Sequence, residues 1–303
     1  MKKTLSIILT IFLSIIFISG CSATPDSAPP GASTLPEPSA SSASGNLTVH
    51  FIYVGQGDSE FIEFPDGQTM LIDAGPAEQG AAVVNYISKL GYTKIDYVVG
   101  THPHTDHIGG LIDVLQSFDV GSMYMPSATS NIKTYTDLTA LIQSKGIPLA
   151  VAKKDVVIKP GYASVIAPVN ENSKDMNDNS AVVKITYKDT SFLFMGDASK
   201  NVEQELQDVA ADVLKVGNHG SSYASSPEFI EKVSPKIAVI PCGKNNKYNL
   251  PNGTTLKTLQ SAGAKIYETS ECGTIMVVSD GTTVLADKAT VPQKTLDKQI
   301  SRK

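Results

Sequence analysis

The sequence predicts an α/β fold in which sheets are covered by helices, and three observations carry that expectation. From Leu47 onward the pattern changes abruptly to short stretches of alternating apolar and polar residues. Residues 95–99, rich in β-branched side chains, read as a strand covered on both faces. Strand-like and helix-like segments then alternate to the end of the domain, with hairpins and helical crossovers mixed, which speaks against a β-sandwich.

In order, residues 47–54, 60–64 and 69–73 are predicted strands, the last two joined by the turn Pro65-Asp66-Gly67. Val83, Val84, Ile87 and Leu90 recur at helical spacing, and Gly91 supplies the stop. After the strand at 95–99 come a helix near 111–118, a strand near 122–125 and a helix near 131–145. Strands at 181–187, 191–195 and 213–216 precede a helix at 227–233, a strand at 237–240 and a helix at 253–262. Strands at 265–267, 274–278 and 283–285 complete the pattern. No linker-like break interrupts it and no short tandem repeat is present, so 47–288 is expected to be one globular domain.

The flanks differ in kind. Lys2 and Lys3 precede an apolar run over 5–18, short of the ~20 residues that span a bilayer, and Ile18-Ser19-Gly20-Cys21 follows. Charge order and length match a secretory signal over 1–20, and the small residues before Cys21 resemble the lipobox of bacterial lipoproteins, which implies lipid on that cysteine. An uncleaved anchor or a plain signal peptide would leave the body in the same compartment. Residues 21–46, mostly Ser, Pro, Ala, Gly and Thr, offer little apolar surface to offset ordering and are expected to be a disordered tether. The expected location is therefore extracytoplasmic, lipid-anchored to the bacterial cell membrane. Residues 289–303, with Lys294, Lys298, Arg302 and Lys303, are expected to be a basic solvated tail.

Composition narrows the chemistry. With 303 residues, 41% hydrophobic and 18% charged, the chain is not disordered throughout. Its formal charge of -5 excludes holding a polyanion by bulk electrostatics, so a phosphate-bearing substrate needs a local positive feature such as bound metal. Three cysteines are too few for a disulfide scaffold, and Cys242 and Cys272 are expected either as a pair or as free thiols.

The stretch Thr101-His102-Pro103-His104-Thr105-Asp106-His107-Ile108-Gly109-Gly110 puts four metal-ligating groups within six positions, directly after a buried strand. Imidazoles held this close repel one another when protonated, whereas a divalent cation turns their lone pairs into strong bonds. Of the five histidines only His50 and His219 lie elsewhere. Asp197, after the strand at 191–195, and His219, in Gly217-Asn218-His219-Gly220-Ser221 after 213–216, both sit at strand ends and are the candidates to complete the site. Gly55, Gly57, Gly75 and Gly220 read as backbone requirements of tight turns beside it.

With these motifs in view, the chain resembles the metallo-β-lactamase fold, an αββα four-layer sandwich whose strand-end loops gather one or two metal ions. Val54-Gly55-Gln56-Gly57-Asp58-Ser59, Leu71-Ile72-Asp73-Ala74-Gly75, the histidine cluster, Phe194-Met195-Gly196-Asp197 and Lys215-Val216-Gly217-Asn218-His219-Gly220-Ser221 resemble, in that order, the hydrolase domain of the ComEC-like, DNA-uptake competence branch. The resemblance implies one or two divalent ions, zinc or manganese. His102 and His104 would bind the first, Asp106 and His107 the second; Asp197 would bridge them and His219 would complete the second site. It also implies that Asp73 orients the cluster, as ligating histidines need an acceptor on the other ring nitrogen. Where the wider superfamily has a third histidine on the first ion, this chain reads Asn177-Asp178-Asn179-Ser180. An oxygen from Asp178 or Asn179 would favour manganese over zinc.

The chain departs from the branch at Asn218 and Leu250, where histidines are common, at Ser270, where Asp is common, and at Tyr53, where an acidic residue is common. Asp106, Asp197 and Asn218 are the expected catalytic positions, and Ser221 and Tyr248 the expected substrate contacts. The resemblance implies an extracytoplasmic metal-dependent hydrolase of phosphodiester or similar anionic esters, of nuclease or phosphodiesterase type, using a metal-bridging hydroxide. DNA, wall-associated phosphodiesters and phosphorylcholine-type esters are the substrate candidates. The alternatives are a metal-binding surface protein weakened by Asn218 and Leu250, and a β-lactamase or lactonase, whose common type carries cysteine where Asp197 stands. Nothing in the sequence identifies a protein partner.

Overall fold

Residues 45–171 and 173–301 are described by a computed structural model. The predicted signal segment, the lipidation site Cys21 and the tether up to residue 44 lie outside the described residues. The chain enters an antiparallel meander of β1 (Leu47–Phe51), β2 (Glu60–Glu63) and β3 (Thr69–Ile72). From β3 the sheet becomes parallel, as helical crossovers require. First α1 (Gly80–Lys89) leads to β4 (Lys94–Val99); α2 (Thr105–Ile108) and α3 (Leu111–Ser117) lead to β5 (Asp119–Met125); α4 (Lys133–Lys145) leads to β6 (Leu149–Val151).

The second sheet repeats this plan. Antiparallel β7 (Val157–Lys159), β8 (Ala163–Ala167), β9 (Val182–Tyr187) and β10 (Thr190–Phe194) come first. Then α5 (Lys200–Glu205), β11 (Val213–Lys215), α6 (Pro227–Val233), β12 (Ile237–Ile240), α7 (Gly253–Ser261) and β13 (Lys265–Glu268) extend it in parallel. After α8 (Thr269–Cys272), β14 (Ile275–Ser279) and β15 (Val284–Ala286) return to the first sheet, and α9 (Gln293–Ile300) follows. The sheets have eight strands, β15-β14-β1-β2-β3-β4-β5-β6, and seven, β13-β12-β11-β10-β9-β8-β7.

Three apolar cores separate four layers. Between the sheets, Val49, Phe51 and Ile62 meet Val183, Phe192 and Phe194. Outside the first sheet, Phe61, Leu71 and Val98 pack under Val83, Ile87, Leu111 and Leu138 of the helices. Outside the second, Leu193, Leu214 and Ala238 pack under Val202, Phe229, Leu256 and Leu296. Consecutive residues such as Phe192 and Leu193 thus bury into different cores, because side chains alternate across a strand and both faces here are covered. The αββα arrangement expected from the motifs is the arrangement observed.

Several elements differ from the sequence reading. The first strand ends at Phe51 instead of residue 54, because the chain doubles back and the Ile52 amide donates to the Ser59 carbonyl at 2.8 Å. Short β6, β7 and β8 had no usable periodicity; all three residues of β6 are exposed. The segment expected to be a solvated tail contains α9, which buries Leu296 and Gln299, and Gln299 Nε2 donates to Glu268 Oε2 at 2.8 Å. Its packing face is so narrow that apolar patterning did not reveal it. Cys242 and Cys272 are free thiols, the second alternative for that pair, with the Cys242 sulfur 3.4 Å from Ser270 Oγ. Among the described residues no helix is long and apolar enough to cross a membrane.

Candidate metal centre

The strand order puts the chemistry at one end of the sandwich. β1, β3 and β4 run the same way in one sheet, as do β10 and β11 in the other, so the loops that follow them gather. Backbone hydrogen bonds stitch these loops together. Asp73 N donates to Val99 O at 2.9 Å, Ala74 N to His107 O at 2.9 Å and Asp58 N to Asp106 O at 3.2 Å. Ala181 N donates to Thr101 O at 2.8 Å and Asn218 N to Gly196 O at 3.1 Å. Gly57 makes the first loop's approach possible: its φ is +147°, and a Cβ there would lie 2.3 Å from the Asp106 carbonyl oxygen.

Six of the predicted residues converge. His102, His104 and Asp197 form one group with ligand atoms within 4.8 Å of one another, and Asp106, His107 and His219 form another. Asp197 stands between them: its Oδ2 is 3.9 Å from His102 Nε2 and 3.4 Å from His107 Nε2, and its Oδ1 is 3.5 Å from His219 Nε2. His219 Nε2 lies 3.5 Å from Asp106 Oδ2. His102, His107, Asp197 and His219 are buried, while His104 and Asp106 are half-buried.

The group fits divalent ions on two counts. The buried atoms His107 Nε2, His219 Nε2 and Asp197 Oδ1 have no hydrogen-bond partner, an expensive condition for polar atoms unless another ligand satisfies them. Their 3.4–3.5 Å separations are long for hydrogen bonds, whereas ligand bonds of about 2.0–2.2 Å around a tetrahedral ion leave donors roughly 3.3–3.6 Å apart. Imidazole and carboxylate donors together suit zinc and other first-row divalent ions.

Asp73 lies behind the imidazoles, against Thr101 and His107. Its Oδ1 accepts the Thr101 amide at 2.8 Å, and its Oδ2 accepts the Thr101 hydroxyl at 2.6 Å and lies 2.8 Å from His107 Nδ1. Having donated to Asp73, the Thr101 hydroxyl is left to accept from His102 Nδ1, 3.1 Å away. Nδ1 of both rings is thereby occupied and Nε2 is turned towards the site, where that of His102 lies 2.9 Å from His104 Nδ1. Asp73→Asn is expected to weaken metal binding about 10–100-fold, and a competition titration with a zinc indicator dye measures it; unchanged affinity would count against this orienting role.

The turn at 177–180 behaves differently from expectation. Asp178 accepts hydrogen bonds from the Ser199 hydroxyl and the Asn201 amide. The Asn179 amide donates to the carbonyls of Ser173 and Asp175 at 2.9 and 3.0 Å. Both are committed to the surrounding loop and neither joins the ligand groups, so the argument for manganese that rested on them has no geometric support. Ser180 is the residue of this turn that reaches the site: its Oγ accepts the Asp197 amide at 3.1 Å and lies 3.4 Å from His102 Nδ1.

The remaining positions sit around this group. Asn218, at φ 47° and ψ 48°, occupies the left-handed region that asparagine tolerates, beside His219 in the same conformation. The Ser221 hydroxyl accepts the Tyr223 amide at 3.2 Å and so closes a turn. Tyr248 is exposed, with Lys247 Nζ 5.0 Å from its ring centroid. Ser270 sits beside Cys242 and Glu268.

Sequence reading gave no role to Asp58, Lys215 or Thr101, although each stood within a quoted motif. Asp58 and Lys215 are both buried and form an ion pair directly behind His219. The usable signal was a charged residue at a strand end inside each of two quoted motifs.

Charge coupling sets the protonation of the metal-free site. Burial and the neighbouring His107 hold His102 well below the usual imidazole range. Burial opposes charging of His107 too, but Asp197, Asp58 and Asp73 outweigh it and hold that ring well above the range. At His219 Asp197 and Asp58 likewise outweigh burial and push the pKa up to about 10. At pH 7 His219 therefore carries a second proton in the metal-free site, and a cation must displace it. Metal binding near pH 7 is expected to release at least the His219 proton, and affinity is expected to rise with pH towards 10. Calorimetry in buffers of different ionisation heats measures this; identical heats in all buffers would contradict it.

The comparisons with known proteins agree with this geometry. The family model described as Metallo-beta-lactamase superfamily matches residues 52–244. ComE operon protein 3 of Bacillus subtilis is 30% identical over 250 residues, covering 75% of this chain and 32% of the relative. Recombination protein 2 of Haemophilus influenzae is 24% identical over 236 residues, covering 76% of this chain and 28% of the relative. The chain thus spans about a third of the length of these curated relatives. The solved structure of CmlA, a diiron beta-hydroxylase from Streptomyces venezuelae, superposes with a TM-score of 0.51 at 14% identity, covering 73% of this chain and 52% of that one. At that identity the likeness concerns fold alone.

Proposed function

Because the chain belongs to the metallo-beta-lactamase superfamily, we propose that it is an extracytoplasmic metal-dependent hydrolase of phosphodiester bonds, of nuclease or phosphodiesterase type, held at the membrane by lipid on Cys21. The observation that carries the reading is Asp197 standing between two donor groups, with its own Oδ1 and the buried Nε2 atoms of His107 and His219 lacking partners. His102, His104 and Asp197 would hold one ion; Asp106, His107 and His219, with Asp197 shared, would hold the other. Divalent ions bound there would supply Lewis acidity towards phosphoryl oxygens and water activation near neutral pH. They would also give an acidic chain the local positive charge that a phosphate ester needs.

The protein's own part is orientation and proton control. Asp73 and Thr101 engage Nδ1 of His107 and His102 and so turn both Nε2 atoms towards the site. His104 and Asp106, the least buried of the six, mark the side from which an anionic ester approaches. Asn218, next to His219, can donate a hydrogen bond to a phosphoryl oxygen but carries no proton titrating near pH 7. Asn218 therefore does not itself supply a departing alkoxide with its proton. Similarity to a competence-operon protein and a recombination protein supports nucleic acid among the candidate substrates.

Elemental analysis of the purified soluble domain, followed by bis(p-nitrophenyl) phosphate assays with zinc or manganese, tests the reading. Diester turnover that chelator abolishes, without nitrocefin turnover, is the expected result. Bound metal without turnover would replace it with a binding protein, and nitrocefin turnover with a β-lactamase.

A further inference from the structure

We infer that Asp58, held in place by Lys215, is the positioning carboxylate of the Asp106–His107–His219 group and sets the His219 ring so that its Nε2 faces the site. The inference rests on the proposed reading of these residues as metal ligands. Asp58 and Lys215 are each 1% exposed. Asp58 Oδ1 lies 3.1 Å from His219 Nδ1, and Oδ2 lies 3.6 Å from His107 Nδ1. The same residue donates its amide to Asp106 O at 3.2 Å. One side chain and its backbone thus touch all three members of the group, from the side opposite the facing Nε2 atoms.

His219 needs such a clamp. It lies in the left-handed region at φ 51° and ψ 28°, within a tight turn, so no regular helix or strand dictates its ring direction. Its Nδ1 lies 3.1 Å from the Pro241 carbonyl oxygen and 3.1 Å from Asp58 Oδ1. Lys215 fixes the clamp in turn: its ammonium pairs with Asp58 Oδ2 and donates to Gly196 O at 2.8 Å, next to Asp197. A single ammonium therefore connects the loop after β1, the turn that carries Asp197 and the end of β11. A buried ion pair pays for desolvation, and apolar replacement of both members is often neutral for stability. Stability alone does not account for the pair, whereas positioning of a ligand does.

Zinc titration of the metal-free protein against an indicator dye tests this. The wild-type chain is expected to take up two zinc ions. Asp58→Asn, which keeps the shape and removes the charge, is expected to weaken the second step about 10–100-fold and leave the first unchanged. Should that variant fail to fold with Lys215 unpaired, the double variant Asp58→Asn with Lys215→Met removes the buried charges together and is expected to show the same selective loss. Unchanged binding in a folded variant, or equal weakening of both steps, would overturn the positioning role while the metal reading stands. A wild-type chain that takes up no second zinc would overturn both.

Discussion

Asp197→Asn is expected to lower metal-supported phosphodiester hydrolysis about 10³-fold or more while leaving the fold intact. Removing one preorganised electrostatic group from an active site already costs about 10²–10³ in rate, and Asp197 serves both donor groups. Its carboxylate faces the Nε2 atoms of His102, His107 and His219 at 3.9, 3.4 and 3.5 Å. Asparagine has the same outline but is neutral, and its NH₂ cannot coordinate, so at most one of the two contacts survives. Burial favours a neutral group at this position, while the neighbouring His219 and His107 hold the carboxylate well below its usual pKa, so the wild-type side chain is fully ionised at neutral pH. Initial rates on bis(p-nitrophenyl) phosphate, together with metal content by mass spectrometry, measure the loss. A variant that keeps both ions and the wild-type rate would remove Asp197 from the mechanism.

Lys215→Met is expected to destabilise the metal-free protein by about 3–5 kcal/mol, the usual cost of leaving one member of a buried ion pair without its partner. Lys215 lies at the end of β11 with its ammonium 1% exposed. Burial opposes its charge, but Asp58, then Glu60 and Asp197, outweigh that and raise its pKa above the usual lysine value. Methionine fills most of the volume but leaves Asp58 beside Asp73 and the other carboxylates with no compensating ammonium. Urea unfolding measures the loss. Adding Asp58→Asn should recover much of it, because energies of residues in contact are not additive; a single variant within 1 kcal/mol of wild type would show that the pair carries no such weight.

The parts of this molecule that were legible from sequence share a physical origin. Strands such as β10 and β12 are buried on both faces and read as apolar runs, and α6 begins with Ser226 capping the Phe229 amide ahead of Pro227 at the first helical position. The six converging residues were legible because side chains of this chemistry are costly to bury otherwise, so clusters of them stand out. What was missed lacked such contrast. The helix α9 buries only Leu296 and Gln299, and β6 contributes edge hydrogen bonds with every side chain exposed. Asp178 and Asn179 have the right chemistry at the right place in the chain, but only the course of the turn shows that their oxygens accept from Ser199, Asn201 and the Ser173 amide. Asp58 and Lys215 become a unit only when two strand ends from different sheets meet.

The placement of β1 between β2 and β14 governs when this site can form during synthesis. Tyr53 and Thr274, whose hydrogen bond flanks the β1–β14 ladder, are 221 positions apart. Pairing across so long a stretch pays its loop-closure entropy before any contact is gained, which slows folding. The loop that carries Asp58 leaves β1 directly, and the strand that feeds it gains its second neighbour only when β14 has been made, after all six converging residues.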